Sequence, residues 1–397
     1  MTENTQDKNQ DTDQGTDQTN DHGEGKSRMV KVWDLPTRMF HWTLVAMVLI
    51  GYLTGWVFAE NTMGIHLWAG YITVFLLVFR LTWGIFGSEY SRLETFVFTP
   101  SHIIEHMKEL ITLRPVKHYI GHNPTGSMMV FGLLFVLATI TLSGLMVLGG
   151  EENQGPMAGA ATYAVGDMAA TVHNGFVILL LAMIVAHVGG VYMEMKLTGE
   201  ELIKSMITGL KKIPANTQDL KHRNARPLAA IVVMIAVLGP AGTVLWAMSA
   251  MPPSGLLDLE PNDVYESECG DCHSPFHPSL LSSDSWTKMM LDLENHFGDD
   301  ATLGDDATAV EITTYLTKYG GDKWDTEAAN RFRVVDPKAP FQITATPYWI
   351  RKHKDVNPEF FKLKKVGVKS NCGGCHTDHY SGSFDDQKIK IPKEKKQ

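Results

Sequence analysis

Residues 171–192 constrain the fold of this chain more than any other stretch. They form an apolar run long enough to cross a bilayer as one helix, and the run carries two imidazoles, His173 and His187. Polar side chains are costly inside a membrane, and those that occur there are usually functional. The fourteen-residue spacing is close to four helical turns, so both rings lie on one face, roughly 21 Å apart. This spacing predicts ligands for two stacked hemes; hydrogen bonds to carbonyls of neighbouring helices are the alternative.

Four other stretches are also long and apolar enough to span a membrane. The connections 1–39, 87–127 and 193–227 hold five, four and seven Lys and Arg, whereas 59–65 and 149–170 hold none. By the positive-inside rule, the amino terminus is predicted to be cytoplasmic and everything after the fifth span to lie on the far side. The predicted spans are residues 40–58, 66–86, 128–148, 171–192 and 228–248.

The first 28 residues are polar and nearly free of apolar side chains, which predicts a disordered tail. They contain no apolar core of a signal peptide, so the first span is expected to serve as an uncleaved export signal.

This topology fixes the depth of four histidines. His41 begins the first span at its cytoplasmic end, level with His187, and His66 begins the second span at the outer surface, level with His173. Helix bundles hold cofactors by ligands that project inward from facing helices. The predicted heme ligands are therefore His41 with His187 on the cytoplasmic side, and His66 with His173 on the periplasmic side. The third span would be a packing wall and the fifth a tether.

The roles of two arginines and two loop histidines can each be interpreted in two ways. Arg80, inside the second span, would neutralise a heme propionate or extend to the cytoplasmic surface. Arg38 would hold a propionate or be an ordinary positive-inside residue. His102 and His106 are one turn apart, which favours an amphipathic surface helix over a metal site.

Several motifs in this half resemble the bacterial cytochrome b561 family, which includes the cytochrome b subunits of nickel-iron hydrogenases. The resemblance extends from about residue 30 to 212, and it implies a four-helix core with two b-type hemes that exchanges electrons with the quinone pool. On the matching positions it implies the same four histidine ligands. The motifs are WDLPTRMFHW at 33–42, HLWAGY at 66–71, RLTWG at 80–84, GHNPTG at 121–126 and MITG at 206–209.

The composition becomes polar after a linker at residues 251–255, and two Cys-x-x-Cys-His motifs follow. In such motifs both thiols attach to a heme and the adjacent His takes one axial site. Zinc is the rival, but the motifs are 103 residues apart, far from the spacing of a zinc ribbon. The sequence therefore predicts two covalent c-type hemes, attached through Cys269 and Cys272 and through Cys372 and Cys375, with His273 and His376 as proximal ligands.

The distal ligands of the c-type hemes require a separate argument. His277 and His379 follow the proximal histidines by only four and three residues, so on a helix they would share the proximal face. His296 recurs at helical spacing with Trp286, Met289 and Leu293, which predicts that it lies on the buried face of one helix. His353 follows Trp349 by one turn. His296 and His353 are therefore the predicted distal ligands, with Met289 or Met290 as the rival for the first.

This segment resembles the diheme cytochromes c, over residues 260–392. That resemblance implies bis-histidine hemes of low potential, with distal ligands matching His296 and His353. The matching pieces are residues 268–273, 285–290, 295–298 and 344–391.

Charge is unevenly distributed. The formal charge of −9 and the lack of a basic aromatic patch argue against nucleic-acid binding. Residues 257–327 carry 17 acidic and 3 basic side chains, whereas 328–397 carry 7 and 15. This asymmetry predicts an acidic soluble partner near the second c-type heme; a basic tail that serves solubility or faces the membrane is the alternative. The lysines concerned are Lys388, Lys390, Lys393 and Lys395.

The predicted fold is an all-α membrane protein: a four-helix diheme b bundle, a fifth tether helix and a mostly helical periplasmic diheme c domain. It would lie in the bacterial inner membrane and transfer electrons between the quinone pool and a periplasmic redox partner. Bis-histidine ligation leaves no open iron site, so no catalytic residue is assigned, and quinol:acceptor oxidoreductase activity stays open. The predicted domains are residues 1–28 (tail), 29–226 (bundle), 227–256 (tether and linker) and 257–397 (heme c).

Two other functions are compatible with the same residues. The chain could be the membrane subunit of a larger dehydrogenase or hydrogenase-like complex, with a catalytic partner outside. It could also be a heme enzyme in which one c-type heme lacks a sixth ligand and binds a small molecule.

Overall fold

The computed structural model describes residues 27–114, 118–214 and 223–392. The predicted disordered tail lies outside these residues except for residues 27 and 28, and Lys393 and Lys395 also lie outside them. Residues 27 and 28 begin a strand, which therefore starts two residues before the predicted boundary.

Five helices are long and apolar enough to cross a membrane, which confirms the number of predicted spans. Two short helices lie in the connections, one between the second and third long helices and one between the fourth and fifth. In chain order the helices of this half are α1 (Leu35–Tyr52), α2 (Ala59–Phe86), α3 (Pro100–Ile111), α4 (Pro124–Gly150), α5 (Tyr163–Thr198), α6 (Leu202–Thr208) and α7 (Pro227–Ser249).

The helices extend beyond the apolar runs that predicted them. The helix predicted over residues 171–192 is α5, and its 36 residues begin after Thr162, whose side chain accepts a hydrogen bond from Val165 N. It ends before Gly199, which has a φ of 69°. Hydropathy detects only the part of a helix inside the hydrocarbon, whereas capping residues determine where the helix begins and ends.

A two-stranded antiparallel sheet, which the sequence did not predict, closes the end of the bundle where α1 begins. Strand β1 (Ser27–Lys31) pairs with β2 (Leu210–Pro214), and Lys31 is opposite Leu210. Behind it, Val32, Trp33 and Ile213 form a small buried cluster with Tyr90 and Ile120. The sheet therefore joins the segment before α1 to the segment after α6.

The membrane core lies where α2, α4 and α5 meet. Leu77, Val136, Leu137 and Leu180 are buried there, and α4 packs along α5 while α1 packs along α2. Helix α7 packs against α2, on the outside of this bundle. These contacts hold the four histidine-bearing positions on helices that face one another.

The last third of the chain folds around one compact core of its own. Its helices are short and are joined by 3-10 turns and loops. They are α8 (Asp263–Gly270), α9 (Ser283–Met290), α10 (Asp306–Lys318), α11 (Glu327–Phe332) and α12 (Pro347–His353). The buried residues are Tyr265, Leu280, Leu281, Trp286, Ile312, Leu316, Ala328, Phe332, Ile343 and Trp349.

One predicted helix of this domain is shorter than expected. The spacing of Trp286 and His296 predicted one continuous helix, but α9 ends at Met290 and Asp292 has non-helical backbone angles. A 3-10 turn, Leu293–Asn295, then leads to His296, which pairs with Asp299 in a local bridge. The placement of His296 on a helix was therefore wrong. Apolar residues recur every three or four positions up to His296, but the chain forms a turn in the last part of that pattern.

The last third of the chain packs on the end of the bundle that carries His66 and His173. The Asp325 carboxylate accepts a hydrogen bond from Tyr163 N at 3.0 Å, and Arg331 pairs with Asp167 at 2.6 Å. Gln387 donates to Gln154 at 3.2 Å, and the turn Asp386–Lys388 packs against α2. These contacts join the two domains through residues late in the second one.

Candidate heme sites

His66 and His173 lie opposite each other between α2 and α5, with their ring centres 6.2 Å apart. Two imidazoles that share one metal ion through Nε2 have ring centres about 6.3 Å apart, because each metal–nitrogen bond is about 2.0 Å and Nε2 lies roughly 1.15 Å from its ring centre. The observed distance therefore fits one iron between the two rings.

Hydrogen bonds at Nδ1 fix the orientation of both rings. His66 Nδ1 donates to the Gly51 carbonyl at 3.1 Å, and His173 Nδ1 donates to the Ile140 carbonyl at 2.9 Å. A carbonyl can only accept, so each Nδ1 carries the proton and each Nε2 keeps its lone pair. Metal-binding imidazoles are oriented in this way.

Two glycines leave space for these rings. A Cβ added at Gly55 would lie 2.9 Å from His66 Cε1, and one added at Gly144 would lie 3.2 Å from His173 Cε1. Gly55 lies in a π-helical turn, Leu53–Val57, that widens the end of α1 beside His66. The sequence analysis missed both glycines, because only the packed structure brings them to the rings.

His41 and His187 form the second pair of the bundle, on α1 and α5. Each lies within electrostatic reach of the other, and His41 Nδ1 is buried without a hydrogen-bond partner among the described residues. The structure therefore places the rings of His66 and His173 opposite each other, whereas His41 and His187 are related only by electrostatic reach.

Arg80 is buried, with only 4% of its surface exposed, so its guanidinium does not extend into solvent. It donates to the Ser91 carbonyl at 3.0 Å, and its guanidinium lies 5.3 Å from the centre of the Phe96 ring. Burial would raise the pKa of the neighbouring Asp34, but hydrogen bonds from Thr37, Ser88 and Trp83 outweigh it and hold that pKa below its ordinary value. The surface interpretation of Arg80 was wrong.

Arg38 is half-buried beside α6, where it donates to the Ile207 carbonyl while its Nε has no partner among the described residues. His122, to which the sequence analysis assigned no role, stacks on Phe96 at 4.4 Å and lies 4.8 Å from Trp33. Burial and the nearby positive charge of Arg80 lower the pKa of His122 to about 3, so its ring is neutral.

The helix predicted around His102 and His106 is α3. His106 is 2% exposed, shares a 2.9 Å hydrogen bond with Thr125, and faces Glu194 of α5 at 3.8 Å. It therefore packs against the bundle instead of lying on the outer surface. Among the described residues, no group of three or more His, Cys, Asp and Glu could hold a metal ion.

The first Cys-x-x-Cys-His motif brings His273 opposite His296. Their ring centres are 6.2 Å apart and the rings are nearly parallel, with 18° between the planes. His273 Nδ1 donates to the Ser274 carbonyl at 3.0 Å, which leaves Nε2 free to bind iron. Met289 and Met290 pack against the domain core. The distance at this site again fits one iron between two imidazoles.

The second motif brings His376 opposite His353, with ring centres 6.1 Å apart. His353 Nδ1 donates to the Trp349 carbonyl at 2.9 Å, and the His353 ring stacks on Trp349 at 4.3 Å. Among the described residues, the four cysteines form no disulfide, which leaves every thiol available for heme attachment.

His277 and His379, which follow the first and second motifs in the chain, line the same small cavity. His277 bonds Ser279 at 2.8 Å and lies edge-on to Trp324, and burial with the nearby His379 lowers its pKa to about 4. One cavity is lined by residues that follow the first motif, among them His277, and by Cys372 and His379 of the second. The two c-type sites are therefore adjacent.

A helical membrane bundle with paired intramembrane histidines, joined to a domain with two Cys-x-x-Cys-His motifs, defines a membrane-bound multiheme cytochrome. Residues 32–209 match the family of prokaryotic cytochrome b561, and residues 265–384 match the family dihaem cytochrome c. The chain belongs to both families, as a fusion of a cytochrome b561 with a diheme cytochrome c. It is a heme-based transmembrane electron-transfer protein with b-type and c-type hemes.

Solved diheme cytochromes c are similar to part of this chain. The diheme cytochrome type c of Shewanella baltica OS155 is 32% identical over 34% of this chain and 95% of its own, with a TM-score of 0.27. Two diheme cytochrome c structures from Rhodobacter sphaeroides are 32% and 36% identical, each over 32% of this chain and 98% of their own, with TM-scores of 0.25 and 0.27. No curated protein matches the chain.

Proposed function

We propose that this protein carries electrons across the bacterial inner membrane between the quinone pool and a soluble redox partner in the periplasm. The amino terminus would be cytoplasmic and the heme c domain periplasmic. The distribution of Lys and Arg supports this orientation, because the connections on the cytoplasmic side hold all of them and residues 59–65 and 149–170 hold none.

The proposed ligand set is four pairs of histidines. The pairs are His41 with His187, His66 with His173, His273 with His296, and His353 with His376. Ring distances of 6.2, 6.2 and 6.1 Å support the last three pairs. The protein would supply ligation and position, while the bound hemes supply one-electron redox chemistry.

The contact between the domains is the observation that carries the proposal. Ile389 pairs with His376, and Lys390 N donates to the Cys375 carbonyl at 2.8 Å, so this strand lies directly on the second motif. The preceding turn, Asp386–Lys388, packs against α2, the helix that carries His66. This contact supports a second c-type site beside the site of His66 and His173, as electron transfer between them would require.

Arg80 and Arg38 are proposed to neutralise propionates of the cytoplasmic heme. A buried cation needs an anionic or polar partner, and Arg38 Nε has none among the described residues. The Ser91 carbonyl accepts a hydrogen bond from Arg80 at 3.0 Å, and the carboxylate of Asp34, which precedes α1, lies within electrostatic reach of its guanidinium.

A quinol-mixing experiment tests the proposed function. Purified oxidised protein is mixed with a quinol, and the b and c alpha bands are followed by stopped-flow absorbance. Reduction of the b bands first and the c bands second is expected. If neither band changes although dithionite reduces both, electrons enter from a periplasmic partner, and the protein is the membrane subunit of a larger dehydrogenase.

A further inference from the structure

The two c-type sites differ in what surrounds them. Within the described residues, the polar contacts of the heme c domain with the bundle come from residues 325–387 and from the linker at 251–255. The second motif therefore lies on the side of the bundle. The first motif lies in residues 257–306, which make none of these contacts, and Cys272 is exposed.

Residues 257–306 present a dense negative surface. They contain thirteen Asp and Glu, all exposed, and Lys288 is the one Lys or Arg among them. Lys288 pairs with Asp284 at 2.6 Å, so it does not neutralise the acids beside the heme ligands. The acids flanking the first site on both sides are Glu268, Asp271, Asp292, Glu294, Asp299 and Asp300.

Apolar side chains lie within this acidic surface. Leu291 is 82% exposed and Phe297 is 60% exposed, and the Phe297 ring lies 5.0 Å from the His296 ring. Phe297 has a φ of 54°, a left-handed conformation that is unfavourable for a bulky residue, and it holds this exposed ring beside His296. An exposed apolar centre with a charged rim is the pattern of a protein interface.

We propose that the first c-type site is the docking site for a small soluble one-electron carrier with a basic surface around its own redox centre. Charge complementarity selects this partner, because the exposed carboxylates would attract and orient a positively charged protein. One electron passes between the soluble carrier and the heme of the first c-type site, from whichever is reduced to whichever is oxidised, so no further reactant is needed. This inference rests on the proposed function and deepens it.

The inference replaces the acidic partner expected near the second heme. The lysine-rich sequence that suggested it contains Lys388, whose turn packs against α2 and which lies 3.7 Å from Asp385. The turn lies on the side of the domain that faces the bundle, and Lys388 faces the carboxylate of Asp385, so less of its charge is available to a soluble protein.

Two matched double variants test the docking site in the full-length holoprotein. Glu268→Gln with Glu294→Gln removes two exposed charges that flank the first site. Asp355→Asn with Glu359→Gln removes two exposed charges elsewhere in the same domain, where both carboxylates pair with lysines. A basic mitochondrial cytochrome c serves as the probe, and its affinity for the oxidised protein is measured by calorimetry at low ionic strength.

The first variant is expected to raise the Kd for the probe about tenfold and the second less than about twofold, with both differences vanishing in high salt. Carbodiimide cross-links to the probe should map to the acids around Cys269 and His296. Equal changes in both variants, an unchanged Kd in the first, or tighter binding of acidic plastocyanin would each overturn the inference.

The binding assay is independent of quinol oxidation. If quinol reduces the b bands but the Glu268 and Glu294 variant binds normally, the docking inference alone fails. If quinol does not reduce them but the variant binds weakly, the proposed quinone link alone fails.

Discussion

At the residue scale, the ring nitrogens of the histidines determine what each site can bind. His66, His173, His273 and His353 each donate Nδ1–H to a backbone carbonyl, so Nε2 is the free nitrogen in all four. The sequence predicted which histidines pair, but not which nitrogen each presents. That choice depends on carbonyls of neighbouring turns and helices, whose positions are not visible in a local pattern.

Removal of a distal ligand is expected to open one c-type heme. His353→Ala would leave the heme covalently attached through Cys372 and Cys375 but with an empty sixth position. Reduced protein should then show a carbon monoxide shift in about one quarter of its heme, since one of four hemes loses a ligand. Reduced wild-type protein should show no shift, and absorbance difference spectra measure both.

His379→Ala is the matched control for this prediction. His379 follows the second motif by three residues, but its Nδ1 bonds the His376 carbonyl at 3.1 Å and its ring lies against Gly373. A carbon monoxide shift in this variant and not in His353→Ala would reverse the ligand assignment.

At the element scale, helix ends and turns place the ligands. The π-helical turn Leu53–Val57 follows α1 directly. His66 Nδ1 bonds the Gly51 carbonyl just before this turn, and the hydroxyl of Thr54 within the turn lies 3.3 Å from the same nitrogen. Hydropathy predicted the spans, yet this turn was not predictable, because an extra residue in a helical turn leaves the apolar pattern nearly unchanged. The loop that carries His296 was missed for a similar reason.

Filling the space at Gly55 is expected to remove one b-type heme. Gly55→Val would push into the His66 ring and move Nε2 away from the iron position. The ratio of heme b to heme c, measured by the pyridine hemochrome assay, should fall from about 1:1 towards about 1:2 because the outer site empties.

Gly64→Val provides the control, because nothing lies within 4 Å of a Cβ added at Gly64 on α2. A heme ratio that stays at the wild-type value in the Gly55 variant would contradict the prediction, because it would show that the His66 ring can move and still bind heme.

At the scale of the whole molecule, charged groups meet where the heme c domain packs on the bundle. Glu152 faces Asp386, Glu327, Lys352 and Asp385 across this interface. Burial, together with the negative charge of Asp386 and Glu327, raises the pKa of Glu152 to about 8 from its ordinary value of 4.5. The docked arrangement therefore favours the protonated form of this carboxyl.

Docking of the two domains is expected to weaken with rising pH. A carboxyl with a raised pKa binds its proton more tightly when docked, so docking loses stability as pH rises from about 4.5 to about 8. Hydrogen exchange of segment 386–391, corrected for its intrinsic rate, should accelerate at least about tenfold over this range, because one pKa unit corresponds to a factor of ten.

Glu152→Gln should reduce this pH dependence, and the part that remains is expected from Glu151, whose pKa burial, Glu327 and Asp167 raise to about 7. Glu260→Gln, at an exposed position that contacts Lys318 within the same domain, should behave as wild type. An equally steep pH dependence in the Glu152 variant would assign the effect to other groups.

The sequence by itself determined the fold class, the number of spans and the families of the two halves, and it predicts the two covalent attachment sites and the depth at which histidines pair. These features follow from local chemistry: apolar length, the spacing of Cys and His, and the distribution of Lys and Arg. Each can be read within one segment, without knowledge of what packs against it.

Only the tertiary structure decided the rest. It paired β1 with β2 across about 180 residues, buried Arg80 beside Ser91 and Phe96, and carried His296 on a turn. It also set the second c-type site against α2 and left the acidic first site exposed. Such features depend on contacts between segments distant in the chain, and a periodic pattern within one segment contains no information about its partner.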